Sequence, residues 1–165
     1  MAVGRKKRLA LDANVLLDLA EGKDFAHEFR EEFLRHGYVL VVPPTVMAEL
    51  AFLAVNGAEP QCTFAGIALQ ELSSWDCQPL TLSSTELAVA QQFSLRLLAR
   101  GLIPEDERND GKILAQTSQG LVPLLVTSDK HLLDIDEDRL SLAFREADLQ
   151  PVHPVHPRKL LRALR

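Results

Sequence analysis

The sequence predicts an α/β fold, in which a three-layer α/β/α sandwich surrounds a mostly parallel central sheet of four to five strands. Short, strongly apolar runs alternate with longer segments of helical periodicity, which is typical of α/β domains. Several of the helical segments also begin and end with residues that favour helix caps and stops. These observations allow each element to be placed in order along the chain.

The first third of the chain contains two predicted strands and three predicted helices. RLAL is a strand that ends at Asp12, and a short helix follows it. DFAHEFREEFLRHG carries Phe25, Phe29 and Phe33 on one helical face. YVLVV is then a buried strand. PPTVMAELAFLAVNG opens with prolines and a threonine, as helices commonly do, and ends at an Asn-Gly pair, so it is predicted to be a helix.

The rest of the chain continues the alternation. EPQCTFAGIALQELSSW is predicted to be a helix and CQPLTL a short strand or extended link. SSTELAVAQQFSLRLLARG has Ser83 and Glu86 in capping-box spacing, which predicts a helix start. NDGKILAQTSQG is predicted to be a helix, VPLLVT a buried strand, and SDKHLLD a short helix capped by Ser128 or Asp129. LSLAF is predicted to be an edge strand.

Length and composition indicate one folded unit. We expect a single domain over residues 1–150 and a basic, proline-containing C-terminal tail over residues 151–165. No apolar run is long enough for a membrane span, and the N-terminus lacks the features of a signal peptide, so a cytoplasmic location is expected. Cys62 and Cys77 fit no metal or redox spacing.

The net charge of −5 conceals an uneven distribution. Each end of the chain carries four basic residues and no acidic ones, while the part between them holds ten basic and 23 acidic residues, a net charge of −13. Such a body repels a polyanion unless its carboxylates are neutralised, whereas basic ends can hold phosphates or serve solubility alone. The basic residues at the ends are Arg5, Lys6, Lys7, Arg8, Arg158, Lys159, Arg162 and Arg165.

Four carboxylates occupy corresponding places in the predicted elements. Asp12 and Asp129 follow strands, Asp110 begins a helix, and Glu49 lies in the second turn of another helix. Functional groups of parallel α/β sheets gather outside the carboxyl ends of the strands, so all four can share one cleft. Because clustered carboxylates oppose one another's ionisation, a hard divalent cation such as Mg²⁺ would relieve the conflict. Each Asp taken singly is also typical of a helix cap.

At these residues the sequence resembles a known family. LALDANVLLDL, VPPTVMAELAFLA, ERNDGKILAQT and PLLVTSDKHLL are similar, in order and separation, to the four acidic motifs of the PIN-domain family, over roughly residues 8–133. The resemblance implies a nuclease fold in which an acidic cluster binds Mg²⁺ or Mn²⁺. The cluster consists of Asp12, Glu49, Asp110 and Asp129, and the polar positions near it are Asn14 and either Thr127 or Ser128.

The resemblance also implies a function and partners. It suggests a metal-dependent endoribonuclease of the VapC type, which is the toxin of a toxin–antitoxin pair and has RNA as its substrate. It also implies that the chain forms a homodimer and binds a small inhibitor protein. The third motif departs from the family pattern, because Gly111 and Lys112 stand where small apolar residues are more usual. Lys112 is therefore either a substrate contact or a solvated residue.

Two other functions stay open from the residues alone. One is a non-catalytic PIN-like module that binds RNA or protein. The other is a metal-dependent phosphatase with Asp12 as nucleophile, although such enzymes usually place a second Asp where Asn14 stands.

Several other polar residues have weaker claims to a functional role. His131 is interpreted as a partly exposed residue, and the run EDERND, apart from Asp110, as a solvated acidic loop. The remaining candidates, ranked below the four carboxylates, are His153, His156, Asp134 and Asp136.

Overall fold

A computed structural model describes residues 7–165. Of the basic N-terminal residues, Arg5 and Lys6 lie outside the described part. The strands are β1 (Arg8–Leu11), β2 (Val39–Val42), β3 (Cys77–Pro79), β4 (Leu124–Val126) and β5 (His153–Val155). The helices are α1 (Ala13–Glu21), α2 (Asp24–Arg35), α3 (Pro44–Asn56), α4 (Gln61–Glu71), α5 (Ser84–Ala99), α6 (Arg108–Gln119), α7 (Lys130–Leu133), α8 (Glu137–Glu146) and α9 (Pro157–Leu164), with a 3₁₀ helix at Glu105–Glu107.

The strands form one sheet in the order β3-β2-β1-β4-β5, and every pairing is parallel. This confirms the predicted fold class. β1 lies at the centre, where Leu9, Ala10 and Leu11 are almost fully buried, as expected for a strand covered on both faces. Because all strands run the same way, their carboxyl ends meet at one edge of the sheet.

The helices form two groups on the sheet. In one, α1 contacts α2 and α4, and α2 contacts α9. In the other, α5 packs along α6, and Phe93 of α5 stacks on Phe144 of α8 with ring centroids 4.8 Å apart. The predicted capping box of α5 is present, since Ser83 and Glu86 bond reciprocally. No helix within residues 7–165 is both long and apolar enough to cross a membrane.

The prediction of an edge strand at LSLAF is wrong, because this segment lies in α8. Its buried residues, Leu140, Ala143 and Phe144, follow helical rather than alternating spacing. Asp136 starts the helix by accepting a hydrogen bond from the Arg139 amide at 2.9 Å. The fifth strand comes instead from the segment 151–165, expected above to be a tail, which contributes both β5 and α9 to the same folded unit.

Each of the two outer strands of the sheet, β3 and β5, contains a proline. In β5, the His153 amide donates to the Pro123 carbonyl and the Val155 carbonyl accepts from the Thr127 amide, so Pro154 turns away from β4. In β3, the Leu80 amide after the strand donates to Val42, which turns Pro79 outward in the same way. A proline has no N–H to offer, and these positions are where a strand tolerates it best.

The close packing of α5 on α6 depends on Gly111. A Cβ atom built on Gly111 would lie 2.7 Å from the Cα of Ser94 and 2.6 Å from its hydroxyl oxygen. Since the clash involves backbone, α5 would have to move to accept any side chain. This explains why the third acidic motif carries glycine at this position.

We expect Gly111→Ala to lower the free energy of unfolding by about 1–3 kcal/mol through overpacking. Gly66 of α4 is the matched control, because a Cβ there has no neighbour within 4 Å. Gly66→Ala should be neutral or stabilising by up to about 1 kcal/mol, since alanine is the better helix former. Urea denaturation of both variants measures this, and equal stability of Gly111→Ala and wild type would contradict the packing argument.

Candidate metal centre

Asp12 lies at the junction between β1 and α1, and only 4% of it is exposed. One carboxylate oxygen, Oδ1, accepts a hydrogen bond from the Ala13 amide at 2.8 Å, which caps α1. The other, Oδ2, accepts from the Thr127 hydroxyl at 2.8 Å and from the Asn14 side-chain amide at 3.1 Å. Asp12 is therefore both a helix cap and the acceptor of a network that joins β1 to the end of β4.

Thr127, Asn14 and Ser128 complete this network. The Asn14 amide also donates to the Thr127 hydroxyl at 3.1 Å, while its carbonyl oxygen accepts from the Ser128 amide at 3.0 Å. The Thr127 hydroxyl accepts in turn from the Asp129 amide at 3.0 Å. The three supporting residues of the sequence prediction thus lie around Asp12, with Ser128 acting through its backbone.

The tightest acidic group consists of Asp110, Asp129 and Glu107, each of which offers a carboxylate oxygen within 4.8 Å of the others. Asp129 caps α7, and Asp110 is nearly buried in the first turn of α6. Glu107 ends the 3₁₀ helix three residues before Asp110, so both project from one side. Glu107 is not among the predicted residues, because the run EDERND is typical of a solvated acidic loop, although the three-residue spacing of Glu107 from Asp110 indicates a shared face.

Glu49 approaches the group from the second turn of α3. Burial and then repulsion from Asp12 raise its pKa to about 7, and a hydrogen bond from the Asn109 side chain opposes the rise. For Asp110, burial followed by repulsion from Asp12 and Asp129 raises the pKa to about 8. The pKa of Asp12 is also raised, chiefly by burial. The structure therefore brings all four predicted carboxylates into mutual electrostatic contact.

Gln116 holds α3 and α6 together at this site. Its side-chain oxygen accepts from the Thr45 amide at 2.9 Å, and its nitrogen donates to the Thr45 hydroxyl at 2.8 Å. Pro43, which precedes α3, offers no side-chain cap. The buried side chain of Gln116, on α6, instead supplies the acceptor for the free Thr45 amide in the first turn of α3. Because Thr45 and Glu49 are one turn apart on α3, this contact also fixes the position of Glu49 relative to α6.

The donor set fits a hard divalent cation. Oδ2 of Asp110 is buried and has no hydrogen-bond partner among the described residues. A buried, unpaired carboxylate oxygen is costly, and a cation would satisfy it while removing the repulsion that raises the neighbouring pKa values. Carboxylate oxygens are the ligands that Mg²⁺ and Mn²⁺ prefer.

Three other candidate residues either cap a helix or contact a carboxylate outside the cluster. His156 caps α9 by accepting from the Arg158 amide at 3.1 Å, and His153 lies 3.2 Å from Glu137. Asp136 caps α8 as described above. These contacts place the three side chains outside the acidic group.

Two residues with weaker or open assignments in the sequence, His131 and Lys112, lie at the border of the cluster. The His131 amide donates to Asp129 at 2.9 Å, which places this exposed histidine beside the carboxylates. Lys112 lines a cleft beside Glu49 together with Phe52 and Asn109. A lysine ammonium group at the rim of an acidic cleft can contact a phosphate that approaches the site.

The fold and the carboxylate cluster together define an α/β domain with an acidic site at the carboxyl edge of its sheet. The PIN domain family model matches residues 9–138 of the chain, which is most of its length. The chain therefore belongs to the PIN-domain family, as the motifs predict. No curated protein sequence matches it.

Solved structures with the same fold include two named VapBC assemblies. VapBC2 from Rickettsia felis, bound to a DNA fragment from the promoter, gives a TM-score of 0.61 at 15% identity, over 90% of this chain and 98% of the other. VapBC-1 from nontypeable Haemophilus influenzae gives 0.57 at 14% identity, over 92% and 98%. FitAcB from Neisseria gonorrhoeae gives 0.53 at 16% identity, over 90% and 97%.

Replacing Thr127 with valine should destabilise the protein by about 1–3 kcal/mol, because it removes a donor to buried Asp12 and an acceptor for the Asp129 amide. Thr117 is the matched control, since both threonines are 0% exposed. Among residues 7–165 its hydroxyl bonds only to the Ile113 carbonyl of its own helix, so Thr117→Val should cost less than about 1 kcal/mol. Chemical denaturation in EDTA measures both, and equal losses would contradict the role of Thr127.

The metal-free protein should lose stability as the pH rises. Asp110 and Glu49 have folded-state pKa values of about 8 and about 7, above their ordinary values of 3.8 and 4.5. The folded state thus binds protons that the unfolded state has released, and the free energy of unfolding falls through this range, by at most about 1.4 kcal/mol per pH unit for each group.

Denaturation in EDTA between about pH 5 and about pH 8 measures this decline. Asp110→Asn removes one of the two groups, so its decline should be shallower than that of wild type. Parallel pH profiles of wild type and Asp110→Asn would show that Asp110 does not titrate in this range.

Proposed function

We propose that this chain is a divalent-metal-dependent endoribonuclease that acts in the cytoplasm and hydrolyses phosphodiester bonds of RNA. The observation that carries the proposal is the unpaired, buried oxygen of Asp110 inside a carboxylate cluster of a PIN-family chain. Helix capping explains the positions of Asp12 and Asp129, which cap α1 and α7, but not that of Asp110, which caps no described helix. A cation bound among these oxygens accounts for the cluster as a whole.

Asp110, Asp129 and Glu107 would hold Mg²⁺ or Mn²⁺ most directly, with Asp12 and Glu49 beside them. When bound, such a cation lowers the pKa of a coordinated water and polarises a phosphoryl oxygen. Thr127 and Asn14 fix the orientation of the Asp12 carboxylate, and Gln116 fixes the helix that carries Glu49. Lys112, which lines the cleft beside Glu49, would contact a substrate phosphate.

The second part of the proposal is that the chain is the toxin of a toxin–antitoxin pair and forms a homodimer. Its motifs resemble those of VapC-type toxins, and assemblies named VapBC and FitAcB share its fold. Beside Glu49, α3 exposes apolar side chains, with Phe52 64% and Val55 80% exposed. An inhibitor protein that covered these side chains would also cover the acidic cleft.

We expect the purified protein to cut labelled RNA with Mg²⁺ or Mn²⁺ but not with EDTA. Asp110→Asn should cut at least about a hundredfold more slowly, because it removes a ligand that supports several kcal/mol of transition-state stabilisation. Glu105→Gln is the matched control, since Glu105 is in the same 3₁₀ helix as Glu107 with its side chain 88% exposed. This variant should cut RNA at the wild-type rate.

Gel analysis of the RNA products and a parallel assay with a small phosphate monoester complete the experiment. Absence of cleavage with every metal would overturn the nuclease proposal and favour a non-catalytic binding module. Turnover of the monoester without RNA cleavage would favour a phosphatase. Thermal shift with Mg²⁺ or Mn²⁺ reports metal binding independently, and Asp110→Asn should abolish most of that shift.

A further inference from the structure

The C-terminal helix α9 has one buried and one basic face. Leu161 is buried, and Leu160 and Leu164 pack against the core, which attaches the helix to the domain. The opposite side carries three exposed cations, Arg158, Lys159 and Arg162, which we call the α9 basic face. The apolar side explains why the helix forms, but it does not explain why the exposed side carries only positive charge.

Within residues 7–165, none of the three cations of the α9 basic face has a carboxylate within ion-pair distance. Arg165 at the end of the chain differs, because it pairs with Glu28. Arg158 lies over the Phe25 ring at 4.7 Å, which holds its guanidinium in place. Burial, and after it the positive charges of Arg158 and Arg162, lower the pKa of His156 at the start of the helix. Both guanidinium groups therefore lie close enough to His156 to affect it electrostatically.

The topology places the start of α9 at the end of the sheet that carries the acidic site. The Val155 carbonyl at the end of β5 accepts from the Thr127 amide at 3.0 Å, and the Thr127 hydroxyl bonds to Asp12 at 2.8 Å. His156 and α9 follow Val155 directly. The helix therefore starts at the carboxyl end of the sheet, where the carboxylates lie, and β4 is the one strand between β5 and the strand that ends at Asp12.

We propose that the α9 basic face binds the phosphate backbone of the RNA next to the bond that is cut, an inference that rests on the proposed function. The part of the chain between its basic ends has a net charge of −13, which repels RNA, so attraction must come from local positive surfaces. Residues one helical turn apart present charges to successive points of a flexible strand. Such contacts position the RNA without reading its sequence.

The test measures RNA binding without cleavage. The full chain carrying Asp12→Asn serves as parent, and anisotropy follows a labelled mixed-sequence single-stranded RNA in Mg²⁺. Lys159→Gln and Arg162→Gln are added together, which leaves Arg158 on Phe25 and keeps good helix formers. We expect binding about tenfold or more weaker at about 0.1 M salt, and a slope of log K against log salt that is smaller by about 1.4 for two lost phosphate contacts.

The matched control adds Arg96→Gln and Arg145→Gln, two exposed arginines of α5 and α8 in the other helix group. It removes the same charge outside the α9 basic face and should leave binding within about twofold of the parent, because the face rather than the net charge positions the RNA. Equal weakening by both pairs would mean that net charge alone is responsible and would overturn the proposal. Thermal melts confirm that each variant is folded.

The two proposals fail in different ways. If the wild type cuts RNA but the α9 pair binds as tightly as the parent, the α9 proposal is overturned and the nuclease stands. If the parent binds RNA through α9 but the wild type cuts nothing, the α9 proposal is supported and the nuclease is overturned. If the parent does not bind RNA, the α9 proposal is overturned, whatever the wild type does.

Discussion

A single carboxylate, that of Asp12, connects the central elements of the fold. It caps α1, accepts from Asn14 on the same helix, and accepts from Thr127 at the end of the neighbouring strand. Burial makes ionisation of this group unfavourable, and three hydrogen bonds partly compensate for that cost. Any displacement of β1 against β4 would remove the Thr127 donor from this buried carboxylate, so the network ties the register of the central strands to the geometry of the site.

The clustered carboxylates cost stability, which the surrounding fold must supply. Gly111 allows α6 to pack closely on α5, and Gln116 bonds α6 to the start of α3. These contacts hold Asp110 and Glu49 near each other against their repulsion. A site built this way is preorganised, because the free-energy cost of bringing its charges together is incurred during folding rather than on ligand binding.

Much of this arrangement was predictable, and the exceptions have physical causes. Strong local signals, such as Ser83 three residues before Glu86, predicted their elements correctly. The strand prediction for LSLAF is wrong because its short apolar run suits either a strand or a helix, and the tertiary packing of this segment, including Phe144 on Phe93, favours the helix. Glu107 was missed because its neighbours are exposed acids. The β5 segment was missed as a strand because proline usually argues against one.

The prolines at the sheet edges determine how this protein can associate. Pro154 on β5 and Pro79 on β3 remove the outward donors that a strand from another chain would pair with. Beside Pro79, the Cys77 amide is already bonded to the Leu72 carbonyl at 2.9 Å. The described sheet is thus a poor template for strand addition or edge-to-edge aggregation. A second copy or a protein partner is therefore expected to dock through the side chains of helices and loops rather than by adding a strand, and side chains allow more selective recognition than an open backbone.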